Sequence, residues 1–197
     1  MGRAGALFSE DVTDPVTSSD RSIGVARRRA RSISCEDSPH LRFGSGDRAY
    51  RYRLDRRVGP GAGVVAFIML NPSTADERTD DPTIRRAIGF ARTWGFGRLV
   101  VGNLFAYRCT DPRGLRRVAD PVGRRNDRSL RALATRADLV VCAWGVHGRL
   151  HDRAAAVRDL LAGAGVRPHV LRLTRDGAPA HPLYLPAALT PIGWPSA

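Results

Sequence analysis

Val64-Val65-Ala66-Phe67-Ile68-Met69-Leu70-Asn71-Pro72-Ser73-Thr74 is the stretch that decides the fold. The apolar run lacks the alternation of a half-solvated strand and fits one buried on both faces, the building unit of parallel sheets. Buried strands follow at Arg98 to Asn103 and Leu139 to Trp144, and Pro168 to Leu173 reads as a fourth strand. Helical segments separate them. Asp81 reads as an N-cap with Pro82 in the first turn, opening a helix to about Trp94 that Gly95 and Gly97 end. Asn126 to Thr135 is a second helix, and Leu150 to Ala164, ended by Gly163 and Gly165, a third, amphipathic one. Upstream, Tyr50-Arg51-Tyr52-Arg53-Leu54 alternates like an edge strand before the turn Gly59-Pro60-Gly61. Strands alternating with helices predict an α/β fold, a three-layer αβα arrangement around a mostly parallel four- to five-stranded sheet. Residues 46–197 form one such domain. Residues 1–45, rich in Ser, Asp, Arg and Gly, read as a disordered basic and polar tail or an overextended translation start. The run Arg27-Arg28-Arg29 with Arg31 leaves a nucleic-acid-binding arm as the alternative.

All 32 basic residues are Arg, and the net charge is +13. A GC-rich genome explains Arg in place of Lys but not the excess over acid. Residues 49–197 hold 24 Arg against 12 Asp and Glu, so the excess sits on the ordered part, where it favours a polyanion. Without Lys, a Schiff-base step through a lysine amine is excluded. Cys35, Cys109 and Cys142 are scattered and odd in number, which argues for a reducing compartment and against a disulfide framework. No run approaches the roughly 18 apolar residues of a membrane span, and no signal-peptide core opens the chain, so the expected location is cytoplasmic with no membrane partner.

In a parallel α/β sheet, ligands bind at the carboxyl ends of the strands. Four such ends here carry polar or aromatic groups: Asn71-Pro72-Ser73, Asn103 to Arg108, Trp144-Gly145-Val146-His147, and the segment leading to His181-Pro182-Leu183-Tyr184. Asn71 is either a turn former fixed by Pro72 or an amide that holds a water by donating and accepting. Asn103 caps a strand or reads the edge of a base. His181 is a loop residue or a donor to a carbonyl or developing anion. Ser73 steadies the turn or binds phosphate. Phe105, Tyr107, Trp144 and Tyr184 pack, or stack on a base. Arg108 contacts phosphate or pairs with Asp111. Asp76, Glu77, Asp80 and Asp81 crowd the first loop as solvated groups and caps, one of them a candidate general base or cation ligand. His147 and His151 share a helix face if that segment is helical, but no zinc-enzyme pattern surrounds them; neither metal nor cofactor is expected.

The combination Met69-Leu70-Asn71-Pro72-Ser73-Thr74-Ala75-Asp76, Asp80-Asp81-Pro82-Thr83-Ile84-Arg85-Arg86, Trp94-Gly95-Phe96-Gly97, Asn103-Leu104-Phe105-Ala106-Tyr107-Arg108, Asp120-Pro121-Val122-Gly123, Ala143-Trp144-Gly145 and His181-Pro182-Leu183-Tyr184-Leu185 resembles the bacterial family known as domain of unknown function 1643, over about residues 50–195. More distantly, the order of parts is similar to that of uracil-DNA glycosylases and their mismatch-specific relatives. That resemblance implies a glycosylase-like fold and a monofunctional hydrolase of N-glycosidic bonds. Asn71 and His181 would then be catalytic. Pro72, Ser73, Asn103, Phe105, Tyr107, Arg108, Trp144, Gly145 and Tyr184 would contact the nucleic acid or nucleotide. Asn71 stands where the most active branch carries Asp, as in the mismatch-specific relatives, and Leu183-Tyr184-Leu185 replaces a DNA-clamping Ser-Pro run. Two alternatives stay open: a hydrolase of free nucleotides or nucleosides, and a binder that does not cleave.

Overall fold

A computed structural model describes residues 49–195; the tail read over residues 1–45 lies outside them. The strands are β1 (Leu54–Arg57), β2 (Val64–Met69), β3 (Arg98–Asn103), β4 (Leu139–Cys142), β5 (His169–Val170) and β6 (Ile192–Gly193), and the α-helices are α1 (Pro82–Thr93), α2 (Asn126–Arg136) and α3 (Arg153–Gly163). One sheet runs β1-β3-β2-β4-β5-β6. Its four inner strands are parallel, and both edge strands are antiparallel to their neighbours. The α/β class therefore holds, but the sheet is mixed and six-stranded rather than four- to five-stranded.

The uninterrupted apolar strands have the physical cause expected of them: each face of the sheet is covered. Val65, Phe67, Leu99, Val101 and Val141 pack on Ile84, Ala87 and Phe90 of α1. Ala66, Ile68, Val100, Val140 and Cys142 point the other way, onto Leu130 and Leu133 of α2 and Val157 and Leu161 of α3. α1 is opened as its sequence predicts, with the Asp81 side chain accepting from the Ile84 amide at 2.8 Å and Pro82 in the first turn. No helix among the described residues is long and apolar enough to cross a membrane.

The chain departs from the sequence expectation in three places. The alternating segment at Tyr50 precedes β1 instead of forming it; Tyr50 makes an isolated bridge to Tyr107, and the Arg51 amide donates to Ala106. The third helix starts at Arg153, not Leu150, because His151 and Asp152 take left-handed backbone angles (φ 53° and 52°). Val146–Asp152 is a kinked 3-10 segment, so His147 and His151 do not share a helical face. Finally, β5 is two residues long, because the chain past Val170 pairs with itself: Ala180 donates to Arg172 and Thr174 to Ala178. That hairpin returns the chain to the sheet rim at His181, and the short β6, which has no apolar run to announce it, closes the edge.

Candidate functional site

In chain order the parallel strands step from β2 outward to β3, then cross back to β4 on the other side of β2. The β2 loop leads to α1 on one face and the β4 loop to α3 on the other. The two loops diverge and open a crevice at the strands' carboxyl ends, where open α/β sheets bind ligands. A pocket of about 300 Å³ lies there, at the small end of ligand-binding cavities. Asn71, Ser73, Asn103, Trp144, Gly145 and His181 line it, together with Arg51, Asp81, Thr83 and His147. A wider open groove of about 1300 Å³ runs along α3, β5 and β6. Its walls mix Ala, Gly and Pro with both arginines and aspartates, and of the predicted site residues it reaches only Trp144 and Gly145.

Asn103, the last residue of β3, is 2 % exposed, and its Nδ2 is buried without a hydrogen-bond partner. Leaving a buried donor unpaired costs about 1–3 kcal/mol. The backbone around it is held firmly. The Asn126 Nδ2, at the start of α2, donates to the carbonyls of Asn103 (3.0 Å) and Leu104 (2.8 Å). The Arg153 Nε, from the first turn of α3, also donates to Leu104 at 2.8 Å, and its other end pairs with Asp127. Two helices thus clamp the end of β3 while the Asn103 amide keeps an unspent donor.

Asn71 is differently placed from the expectation that its amide both donates and accepts. Its Nδ2 is committed to two backbone carbonyls, Cys109 at 2.6 Å and Pro72 at 3.0 Å. Only the Oδ1 side is left to meet a ligand or water. His181 sits just past the hairpin, with Nδ1 accepting from the Leu183 amide at 3.4 Å. Burial holds its pKa below the ordinary histidine value, against the pull of the Asp81 carboxylate. The ring is therefore neutral at pH 7, and with Nδ1 accepting, its proton belongs on Nε2. Gly145 brings β4 alongside: its φ of +73° needs glycine, and its amide donates to Pro179 at 2.8 Å, two residues before His181.

Arg51 and Asp81 complete the charges of the pocket. Arg51 is 3 % exposed, donates to the Ala75 carbonyl, and leaves its Nε buried and unpartnered. Burial, reinforced by the nearby Arg108 cation, pushes its pKa down to about 10, which still leaves it charged at neutral pH. Arg108 donates to the same Ala75 carbonyl at 3.1 Å, so two cations converge on one acceptor. Asp81 is the one acidic residue in the pocket lining. The sequence marks Asp81 as a cap and candidate base but gives Arg51 no role. An Arg in period-two alternation reads as solvent-facing, and only its contact with Ala75, far along the chain, reveals otherwise.

Other predicted contact residues lie outside the pocket lining. Phe105 is fully buried in the core under α2 and α3, edge-on to His151. Tyr107 packs edge-on against Tyr50, and Tyr184 is 85 % exposed. Pro72 is buried and serves through its carbonyl, which accepts from Asn71 and Cys109. Arg108 is turned to Ala75 rather than paired with Asp111, whose side chain caps the 3-10 turn Pro112–Arg117 through the Arg113 amide. Trp144 borders the pocket, but its ring is core, 1 % exposed and 5.3 Å from the Trp194 ring. Among the described residues no cluster of three or more His, Cys, Asp or Glu is set to hold a metal ion.

No curated protein and no solved structure matches the chain. A family model does match residues 51–183, spanning every element from the Arg51 contact to the His181 turn: the chain belongs to the DUF1643 family, proteins of unknown function.

Proposed function

We propose that the pocket binds a nucleobase through its ring carbonyls and that the protein hydrolyses the N-glycosidic bond attaching that base to its sugar. The observation that carries this reading is the buried, unpartnered Nδ2 of Asn103. An idle donor beside a neutral histidine asks for an acceptor oxygen, and a base carbonyl supplies one. The volume suits a single base or nucleoside, and the order of motifs resembles that of the uracil-DNA glycosylases.

In the step proposed, the bond from sugar C1′ to the base nitrogen breaks and its electron pair leaves with the base. Asn103 Nδ2–H and His181 Nε2–H donate to the base oxygen on which negative charge grows. The positive charge developing on the sugar is met by the Asp81 carboxylate. A water accepted by Asn71 Oδ1 adds to C1′, and the proton it loses ends on the departed base. Because Asn71 lacks the basicity of a carboxylate, the water is positioned more than activated.

A second reading is favoured by one observation. The idle Nε of Arg51 suits an anionic ligand, so a nucleotide held without cleavage remains the alternative. The test is release of free base, followed by mass spectrometry, from oligonucleotides carrying modified or mismatched bases and from the matching free nucleosides. Release by the wild type, with Asn103→Ala and His181→Ala each lowering the rate about 100- to 1000-fold, supports hydrolysis. Binding without any released base replaces it with the second reading.

A further inference from the structure

Beside the pocket lies a separate groove of about 580 Å³ that shares Pro112, Val146 and His147 with it. Its walls carry Arg113, Arg116, Arg117 and Arg149, and no acidic residue. We infer that this groove holds the sugar–phosphate backbone of a nucleic-acid strand whose base enters the neighbouring pocket. The inference deepens the functional reading above by making the substrate a polynucleotide rather than a free nucleoside.

Local structure explains why these arginines are available. Asp111 caps the Pro112–Arg117 turn, its Oδ1 accepting from the Arg113 amide at 2.9 Å, and it forms no ion pair with these arginines. Leu115 is fully buried and anchors that turn, while Arg113, Arg116 and Arg117 are exposed. Arg149, from the facing 3-10 segment, donates at 3.0 Å to a backbone carbonyl, that of Asp176. None of the ion pairs among the described residues involves any of the four. Four guanidinium groups without ion pairs therefore give the groove an excess of positive charge where it meets the pocket. Phosphates spaced along a strand suit it: each guanidinium has a planar fork that matches a phosphate's oxygens. Val146, 49 % exposed at the junction, offers an apolar edge where a base leaving its stack passes from groove to pocket.

The experiment is fluorescence anisotropy of a labelled single-stranded oligonucleotide bound to the full chain at 50 and 200 mM salt. Four phosphates neutralised on a single strand give a log–log slope of about −2.8, a loss of affinity of about 50-fold over that range. Arg116→Glu/Arg117→Glu leaves two contacts and shrinks the loss to about 7-fold. The control Arg128→Glu/Arg131→Glu makes the same charge change on exposed positions of α2 and keeps the 50-fold loss. A control that flattens the slope as much as the groove variant, or polyglutamate that displaces the oligonucleotide at equal charge, overturns the inference. Base release from free nucleosides is measured on the same proteins. Groove-dependent binding without base release leaves this inference standing and removes the hydrolase reading. Base release from nucleosides with oligonucleotide binding indifferent to the groove variant does the reverse.

Discussion

Replacing Asn103 with Leu should stabilise the protein while abolishing its function. The side chain is 2 % exposed and its Nδ2 has no partner, so the folded state bears the cost of an unmet donor, about 1–3 kcal/mol. Leucine has a similar branched outline, removes that cost and adds apolar burial, against roughly 1 kcal/mol of crowding. The net expectation is a gain of about 1–2 kcal/mol, seen as a higher urea midpoint with unchanged m and a rise in Tm of roughly 2–8 °C for a chain of this size. Asn103→Ala serves as the companion, since a smaller residue cannot crowd; the cavity it leaves offsets the relief, and its stability should stay within about 1 kcal/mol of wild type. Both variants should lose ligand binding, the trade-off expected where a site is held unsatisfied for function. Losses of 2 kcal/mol or more in both would mean that the amide already has its partner in the free protein, and the reasoning would fail.

Asn126→Ala should be costly in the opposite sense: it strips the Asn103 carbonyl of its side-chain donor and removes one of two from Leu104, for a loss of about 2–3 kcal/mol by urea denaturation. Gly148→Ala would put a Cβ 2.3 Å from Trp144 Cδ1, and the indole cannot retreat from the core, so a loss of about 1–3 kcal/mol in thermal unfolding is expected. His181 makes stability depend on pH with a definite sign. Its folded-state pKa lies below the ordinary 6.5, so the unfolded chain takes up the proton first, and the stabilisation present above pH 6.5 is lost as pH falls through the lowered value. Comparing urea midpoints of wild type and His181→Ala from pH 7.5 to 5 should show a steeper acid-side decline in the wild type; parallel curves would remove the buried-neutral assignment.

Much of this architecture was legible because burial leaves a strong mark on sequence. β2 and β3 are apolar without interruption since helices cover both faces, and Asp81-Pro82 announces α1 by the chemistry of its first turn. The rim placement of Asn71 and Asn103 follows from strand ends alone, whereas His181 reaches the rim through the hairpin beyond β5. What stayed hidden depends on contacts between distant segments. Arg51 enters the pocket because Ala75 receives it, and Asn126 matters because two carbonyls at the end of β3 face it. β6 is two exposed residues with no periodicity to read, and the left-handed turn at His151-Asp152 has no glycine to betray it. The aromatic residues misled for a related reason: a phenylalanine at a strand end looks the same in sequence whether it faces the core, as Phe105 does, or a ligand.

In the function proposed, the Asn103 amide is an idle donor that takes an acceptor on a base. Its side-chain NH₂ signals can be assigned by ¹H–¹⁵N NMR through their disappearance in Asn103→Leu, then followed as free nucleobases with and without ring carbonyls are added. A carbonyl-bearing base should move these two proton signals downfield together with the His181 ring, while a base lacking a carbonyl should leave them in place. Asn103 signals that stay fixed at saturating base, while resonances elsewhere shift, would contradict that role.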